Sequence, residues 1–381
     1  MIKKIAIVSS MPFFIHAHIK EHIKYLLNKG YHITLITKRD DIIKKYEGIT
    51  NLNIININFQ RKISILNDFI CFIHLIFIFS IYRFNIIHSY TPKVGFLVCL
   101  SSYLTFNNNR IHTFTGQHWK NYIGISRKFY KLLDRIVIKL NTNCYADSYS
   151  QIKYLINEKV CKINDLNVIH KGSIGGINLN NYNKKLFDPN KIKSKLNISK
   201  NFKIITFVGR VNIDKGIFNL LQAISNLNQN KLKYYLLVIG PMDILDKLEI
   251  NKFNNYINNN IKFIKYFGYK DDVREFLSIS DLFCLPSLRE GFGTSVIEAG
   301  AMEVSVLVSN IYGLNEIINT NNGFLLEKIS PKQIEKKINE IFQNNKIKKE
   351  LSNQLYKDIK LKYNCIDVCK KLEKEYTKHI E

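Results

Sequence analysis

The chain has 381 residues, of which 46% are apolar, 12% aromatic and 23% charged. At roughly 100–200 residues per domain, this length fits two domains that each bury a core, and it excludes a disordered tail, a collagen-like fibre or a small disulfide scaffold. Lys and Arg number 56 against 31 Asp and Glu, a formal charge of +25; such an excess suits nucleic acid, an anionic bilayer or a phosphorylated substrate, and compositional drift in a chain saturated with Lys, Asn and Ile is an equal explanation.

The first apolar run, Ile5–Val8, is too brief for a signal peptide and reads as a buried strand. It leads into a helix around Ile19–Asn28, closed by Gly30, and then into a strand over Tyr31–Thr37. Asn53–Phe59 is the next strand. Within Ile65–Tyr82 lies a long apolar helix whose least charged stretch, Phe69–Tyr82, is short of the roughly 20 residues that span a membrane. Two readings of it stand side by side: a buried helix of an α/β domain, or, with the basic N-terminal half, a helix at a membrane surface. Strands at Ile86–Ser89, Arg110–Phe114 and Asn143–Ala146 follow, with helices between them. Strands alternating with helices imply right-handed crossovers and a mostly parallel sheet covered on both faces.

From Ile177 to Asn201 the pattern loosens into an Asn- and Lys-rich stretch with Asp188–Pro189, the expected linker. A second series then runs through strand Lys203–Val208, helix Ile217–Asn226, strands Tyr234–Ile239 and Ile261–Phe267, helix Asp272–Ser278, strand Leu282–Pro286, helix Thr294–Met302 and strand Ser305–Ser309. The expected domains are residues 1–176 and 177–364, with a basic tail helix, 365–381, returning toward the first. In doubly wound sheets ligands sit at the carboxyl ends of the strands. The seven cysteines are scattered with no CxxC pair, as suits reduced thiols in a cytoplasmic protein.

Two strand-to-helix turns carry the chemistry. In Leu285–Ala299 the turn holds Glu290, Gly291, Phe292 and Gly293, and the helix starts near Thr294. Its first N–H groups lack partners within the helix and can receive anionic oxygens, while the glycines admit a ligand close to the backbone. Glu290 and Glu298 can accept hydrogen bonds from sugar hydroxyls, or merely complement the helix start. In Phe207–Gly216, Arg210 and Lys215 stand between Gly209 and Gly216; a planar bidentate donor beside a point charge suits a diphosphate.

Together, Gly-Arg and Lys-Gly followed about 80 residues later by Glu-Gly-Phe-Gly and a second Glu resemble the retaining glycosyltransferases of family 4. The resemblance covers nearly the whole chain and is most specific from Phe207 to Leu326. It implies an α/β architecture of the GT-B type, two Rossmann-like doubly wound domains facing across a cleft. It also implies that Arg210 and Lys215 hold a donor diphosphate, that Glu290 contacts the transferred sugar and that Glu298 contacts the ribose. The Gly291–Thr294 amides would cradle oxygens, with Gly209 beside them and Gly268 and Tyr269 near the base.

On the acceptor side the resemblance points to Thr115, Gly116 and His118 after a strand, with Trp119 beside them, and to Ser10 after the first strand. Thr115 stands where the family often carries a histidine or glutamate, and Ser9–Ser10 stands where it often carries two glycines. The implied reaction moves a hexosyl or N-acetylhexosaminyl group, with retention, from a nucleotide-diphosphate sugar such as a UDP-sugar to a lipid-linked saccharide in bacterial surface-polysaccharide synthesis. The expected location is the cytoplasm, peripheral at the inner face of the plasma membrane, with an anionic membrane surface as a further partner. No Asp-x-Asp, CxxC or HExxH is present, so neither a metal nor a cofactor is expected. The alternatives are a nucleotide-sugar epimerase of the same fold and a basic nucleic-acid-binding protein. The chain lacks helix-turn-helix, zinc-finger and RNA-recognition signatures, so nucleic acid is not an expected partner.

Overall fold

The computed structural model describes residues 3–60, 63–229, 233–244 and 246–380. Met1, Ile2 and Glu381, at the ends of the expected first domain and tail helix, lie outside the described residues. The chain divides into two compact units, Met1–Gly176 with Cys365–Glu381, and Ile177–Asn364.

In the first unit the strands are β1 (Lys4–Val8), β2 (His32–Thr37), β3 (Leu52–Asn56), β4 (Ile86–Tyr90), β5 (Arg110–Phe114), β6 (Asn143–Ala146) and β7 (Asn167–Val168). They form one parallel sheet in the order β3-β2-β1-β4-β5-β6-β7. The chain steps outward from β1 to β3 and returns to the other side of β1 as β4, which is the switch point of a doubly wound sheet. Ile5, Ile7, Ile33, Leu35 and Ile86 are buried in a core that also takes Leu372 and Tyr376 from the tail helix Cys365–Ile380. The Tyr376 hydroxyl lies 2.6 Å from Nδ1 of the buried His88, whose Nε2 is 2.8 Å from the Thr113 hydroxyl. The tail is therefore tied to two central strands by polar bonds as well as packing.

The buried-helix reading of the apolar segment 69–82 holds for one side only. It belongs to helix Ile65–Ile81, whose Cys71, Leu75, Ile78 and Phe79 enter the core while its opposite side is exposed. A helix that is apolar all round shows no face in its sequence, so only packing decides which side is covered.

The second unit holds β8 (Lys203–Val208), β9 (Tyr234–Ile239), β10 (Ile264–Tyr266), β11 (Leu282–Leu285), β12 (Val306–Ser309) and β13 (Phe324–Leu326), parallel in the order β10-β9-β8-β11-β12-β13. Here the switch point falls between β8 and β11. Nearly every residue of β8, β9 and β11 is buried, as expected for strands covered on both faces. The stretch 177–201 is not a free linker. Ile177, Ile192, Leu196 and Ile198 enter the second core, and Asp188 caps helix Pro189–Lys195 through its side chain. Polar Asn and Lys between these apolar residues hide that burial in the sequence.

Candidate active site

The site of the second unit is built at the carboxyl ends of β8 and β11. Gly209–Gly216 leaves β8, and Pro286–Gly293 leaves β11. Their backbones meet where the Leu288 amide donates to the Asp214 carbonyl at 2.7 Å. Gly216 has φ +70° and a Cβ there would lie 1.9 Å from the Pro286 carbonyl oxygen, so only glycine lets the loops approach this closely. Arg289 Nη2 to Asp214 Oδ2, 2.5 Å, adds an ion pair across the same junction.

Lys215 donates to Oε1 of Glu290, which also accepts from the Ser287 hydroxyl at 3.0 Å. Both side chains of the ion pair are largely buried. Burial pulls the Lys215 ammonium below its usual pKa; the Glu290 carboxylate pulls it back up, while the Arg210 and Arg289 cations push it down. Arg210 therefore acts on the same pocket of charge as Lys215. Its Nη1 donates to Asp243 Oδ2 at 2.6 Å, and Asn212 Nδ2 donates to the same oxygen at 2.9 Å. Asn212 also accepts from the Lys215 amide at 3.0 Å. A guanidinium has five N–H donors, so one carboxylate oxygen fixes its orientation without consuming the fork.

Asp243 and Tyr182 are the partners sequence reasoning missed. Asp243 lies in the loop after β9, held by the Asp243 amide to the Val211 carbonyl at 3.0 Å. No motif marks it, but a carboxylate just past a strand adjoining β8 is a usable signal. Tyr182, in the stretch read as linker, donates its hydroxyl to Glu298 Oε1 at 2.9 Å. Burial first, and the Glu298 carboxylate second, raise that phenol well above its usual pKa, so it stays a donor.

Gly293 caps helix Thr294–Ala301, and Glu298 sits in its second turn. Gly313, at φ +84°, brings its backbone against the Gly291 carbonyl, 2.5 Å from where a Cβ would stand. Phe292 is buried edge-on against Tyr363, so its side chain belongs to the core and only its backbone faces the turn. Gly209, Gly240 and Gly268 leave β8, β9 and β10 at the same end, joined by the Gly209 amide to the Ile239 carbonyl and the Gly240 amide to the Gly268 carbonyl. Tyr269 follows, its hydroxyl donating to Asp271 at 2.7 Å. Among the described residues, no group of three or more His, Cys, Asp or Glu side chains is set to hold a metal.

In the first unit, Ser10 follows β1 and its hydroxyl lies 3.1 Å from that of Thr91, which follows the adjacent β4. The pair spans that sheet's own switch point, and Thr91 carries no sequence signal beyond its place. Thr115 and Gly116 follow β5. The His118 ring packs edge-on to Tyr122 and Tyr130. Trp119 corrects an expectation: it is fully buried and donates Nε1–H to Asp134 at 2.6 Å, so it cannot line an acceptor surface. It is the largest of the fully buried side chains among the described residues.

Residues 188–358 match the family model described as glycosyl transferases group 1. A capsular polysaccharide biosynthesis glycosyltransferase, CapM of Staphylococcus aureus, is 27% identical over 93% of this chain and 92% of its own. An Escherichia coli UDP-Gal:alpha-D-GlcNAc-diphosphoundecaprenol alpha-1,3-galactosyltransferase is 25% identical over 85% and 84%. Among solved structures, Anabaena HepE in complex with UDP and glucose shares the fold with a TM-score of 0.80 at 14% identity, over 98% of this chain and 99% of its own. The chain is therefore a glycosyltransferase of GT-B fold that carries a glycosyl transferases group 1 domain at residues 188–358.

Proposed function

We propose that the protein is a retaining glycosyltransferase of family 4 that moves a hexosyl or N-acetylhexosaminyl group from a UDP-sugar to a hydroxyl of a lipid-linked saccharide during surface-polysaccharide synthesis. One observation carries the reading: Arg210, Lys215 and Glu290 meet at the switch point between β8 and β11, beside the helix start at Thr294. That edge is where a doubly wound sheet takes its ligand, and these groups answer a diphosphate joined to a sugar.

In this reading Arg210 grips diphosphate oxygens with the donors that Asp243 leaves to it, and Lys215 neutralises the charge that grows as the diphosphate departs. The Phe292 and Gly293 amides share that charge, while the Thr294 amide donates to the Phe292 carbonyl at 3.0 Å, so the leaving group is stabilised without a divalent ion. The anomeric C–O bond breaks with its electron pair going to the diphosphate. The acceptor oxygen then bonds to the same face of the sugar, and its proton leaves with the diphosphate. Glu290 holds sugar hydroxyls and Glu298, oriented by Tyr182, holds the ribose. Gly268 and Tyr269 stand near the base, and Ser10, Thr115, Gly116 and His118 serve the acceptor side.

The names of the Staphylococcus aureus and Escherichia coli relatives support the substrate class, one through capsular polysaccharide and the other through a UDP-sugar and a lipid-diphosphate acceptor. A panel of nucleotide-sugars scored by nucleotide release, with and without a lipid-diphosphate-linked saccharide, tests the reading. It expects release from a UDP-sugar that depends on the acceptor. Release from no donor, or an epimerised sugar formed without acceptor, would refute it.

A further inference from the structure

Helix Ile65–Ile81 packs beside helix Pro92–Leu104, which in turn packs beside helix Gly124–Leu140, so the three form one layer on one face of the first unit's sheet. The outward stripe of the first helix is almost wholly apolar. Ile65, Leu66, Phe69, Ile70, Ile73 and Phe77 are all exposed, Leu66 at 81% and Phe77 at 65%. Scattered exposed apolar residues need no explanation, but a continuous stripe of them along a 17-residue helix does. No helix among the described residues is long and apolar enough to cross a membrane.

The third helix repeats the feature with charge added. Ile125 is 86% exposed, Phe129 and Leu132 stand one and two turns further on, and Lys128, Arg135 and Lys139 share their exposed side. At 100° per residue these six side chains fall within one broad face. Neither helix exposes a carboxylate: Asp68 is paired with Lys93 at 2.5 Å, and Asp134 is buried under the Trp119 indole. Apolar side chains interleaved with cations and free of exposed acids match a surface of acyl chains beneath anionic headgroups, where long basic side chains reach up to the phosphates. A second copy of the chain fits poorly, because a two-fold contact would set these cations against themselves on a protein already at +25.

We propose that the outward faces of helices Ile65–Ile81 and Gly124–Leu140 form a docking surface for an anionic lipid bilayer. The proposal rests on the lipid-linked-acceptor reading for its purpose, since an enzyme taking such an acceptor gains from lying on the bilayer that holds it, but it is tested apart from that reading.

The experiment floats the full chain with vesicles of phosphatidylcholine alone or mixed with phosphatidylglycerol, comparing wild type with Ile73→Glu/Phe77→Glu and Lys128→Glu/Lys139→Glu, which spares Arg135 because its guanidinium donates to the Lys159 carbonyl. All four positions lie at the surface of their helices, and unchanged circular dichroism shows that the variants fold. Wild type floats with the mixed vesicles, and added salt weakens the binding. The apolar double variant loses about tenfold or more in affinity, and the basic one loses about fivefold per cation removed. Transfer to a water-soluble short-chain acceptor stays at the wild-type rate in both variants, so failure of the transferase reading shows in that assay and failure of the docking surface shows in flotation. Wild type remaining in the soluble fraction with both vesicle types, or variants floating as wild type does, overturns the proposal. So does a concentration-dependent dimer that Ile73→Glu/Phe77→Glu dissociates.

Discussion

Lys215 and Glu290, 75 positions apart in the chain, form a buried ion pair across the gap between the loops that leave β8 and β11. Removing one partner of such a pair strands a buried charge, and removing both does not. Lys215→Ala should therefore lose about 3 kcal/mol of stability and lower turnover by about 10²–10³. Lys215→Met with Glu290→Gln should regain most of the stability and none of the turnover. Thermal denaturation and nucleotide-release kinetics on the same preparations separate the two effects; turnover restored in the double variant would remove Lys215 from the reaction.

Asp243 acts through Arg210. Asp243→Asn keeps the shape and weakens a charge-assisted bond, so kcat/KM for the donor should fall about tenfold. Arg210→Ala should already contain that loss, making the double variant no worse than Arg210→Ala alone. Additive losses in a double-mutant cycle would show that Asp243 does not work by orienting the guanidinium.

Tyr182→Phe removes the donor to Glu298 and nothing else of the ring. Donor KM should rise about fivefold with kcat nearly unchanged, the pattern of lost uniform binding. A fall in kcat with KM unchanged would place the Tyr182–Glu298 contact in the chemical step instead.

Stability should depend on pH through buried groups of the first unit, among them His22, His112 and Asp134, with buried His88 shifted down in the same sense as the other two histidines. Burial lowers His22 to about 4 and His112 to about 3 from 6.5. Above pH 6.5 both rings are neutral in either state and their contribution is whole; below it the unfolded chain takes up protons that the folded one refuses, and each ring costs about 1.4 kcal/mol per pH unit down to its folded value. Asp134 has the opposite sign. Burial raises it from 3.8 to about 7, against the lowering bond from Trp119, so its contribution is whole below pH 3.8 and is lost as pH rises to about 7. His22→Phe should thus gain stability relative to wild type in acid, and Asp134→Asn should gain roughly 2–4 kcal/mol above pH 7. Urea midpoints measured across about pH 5–8 check both; parallel profiles for all three proteins would contradict the assignment.

What the sequence reveals of this site follows the strands. Arg210, Lys215 and Glu290 stand out because each lies a few residues past a run such as Ile204–Val208 or Leu282–Leu285, where parallel-sheet topology brings loop ends together. Asp243 and Tyr182 do not, because their link to Arg210 and Glu298 is made only by tertiary packing across 33 and 116 positions. Helices Lys247–Asn259, Pro331–Gln343 and Asn345–Lys362 escape notice for a local reason. They are crowded with Asn and Ile, whose modest helix preferences, beside many Lys that mark no face, blur the periodic signal until Ile338, Ile341, Leu355 and Ile359 find the core.

The most direct measurement is calorimetric titration of UDP into the wild-type chain and Arg210→Ala, in buffer containing a chelator. A donor diphosphate held by Arg210, Lys215 and the Phe292 and Gly293 amides predicts that UDP binds wild type without added metal and binds Arg210→Ala at least about tenfold more weakly. Equal affinity in the two proteins, or binding that appears only when a divalent ion is supplied, would contradict it.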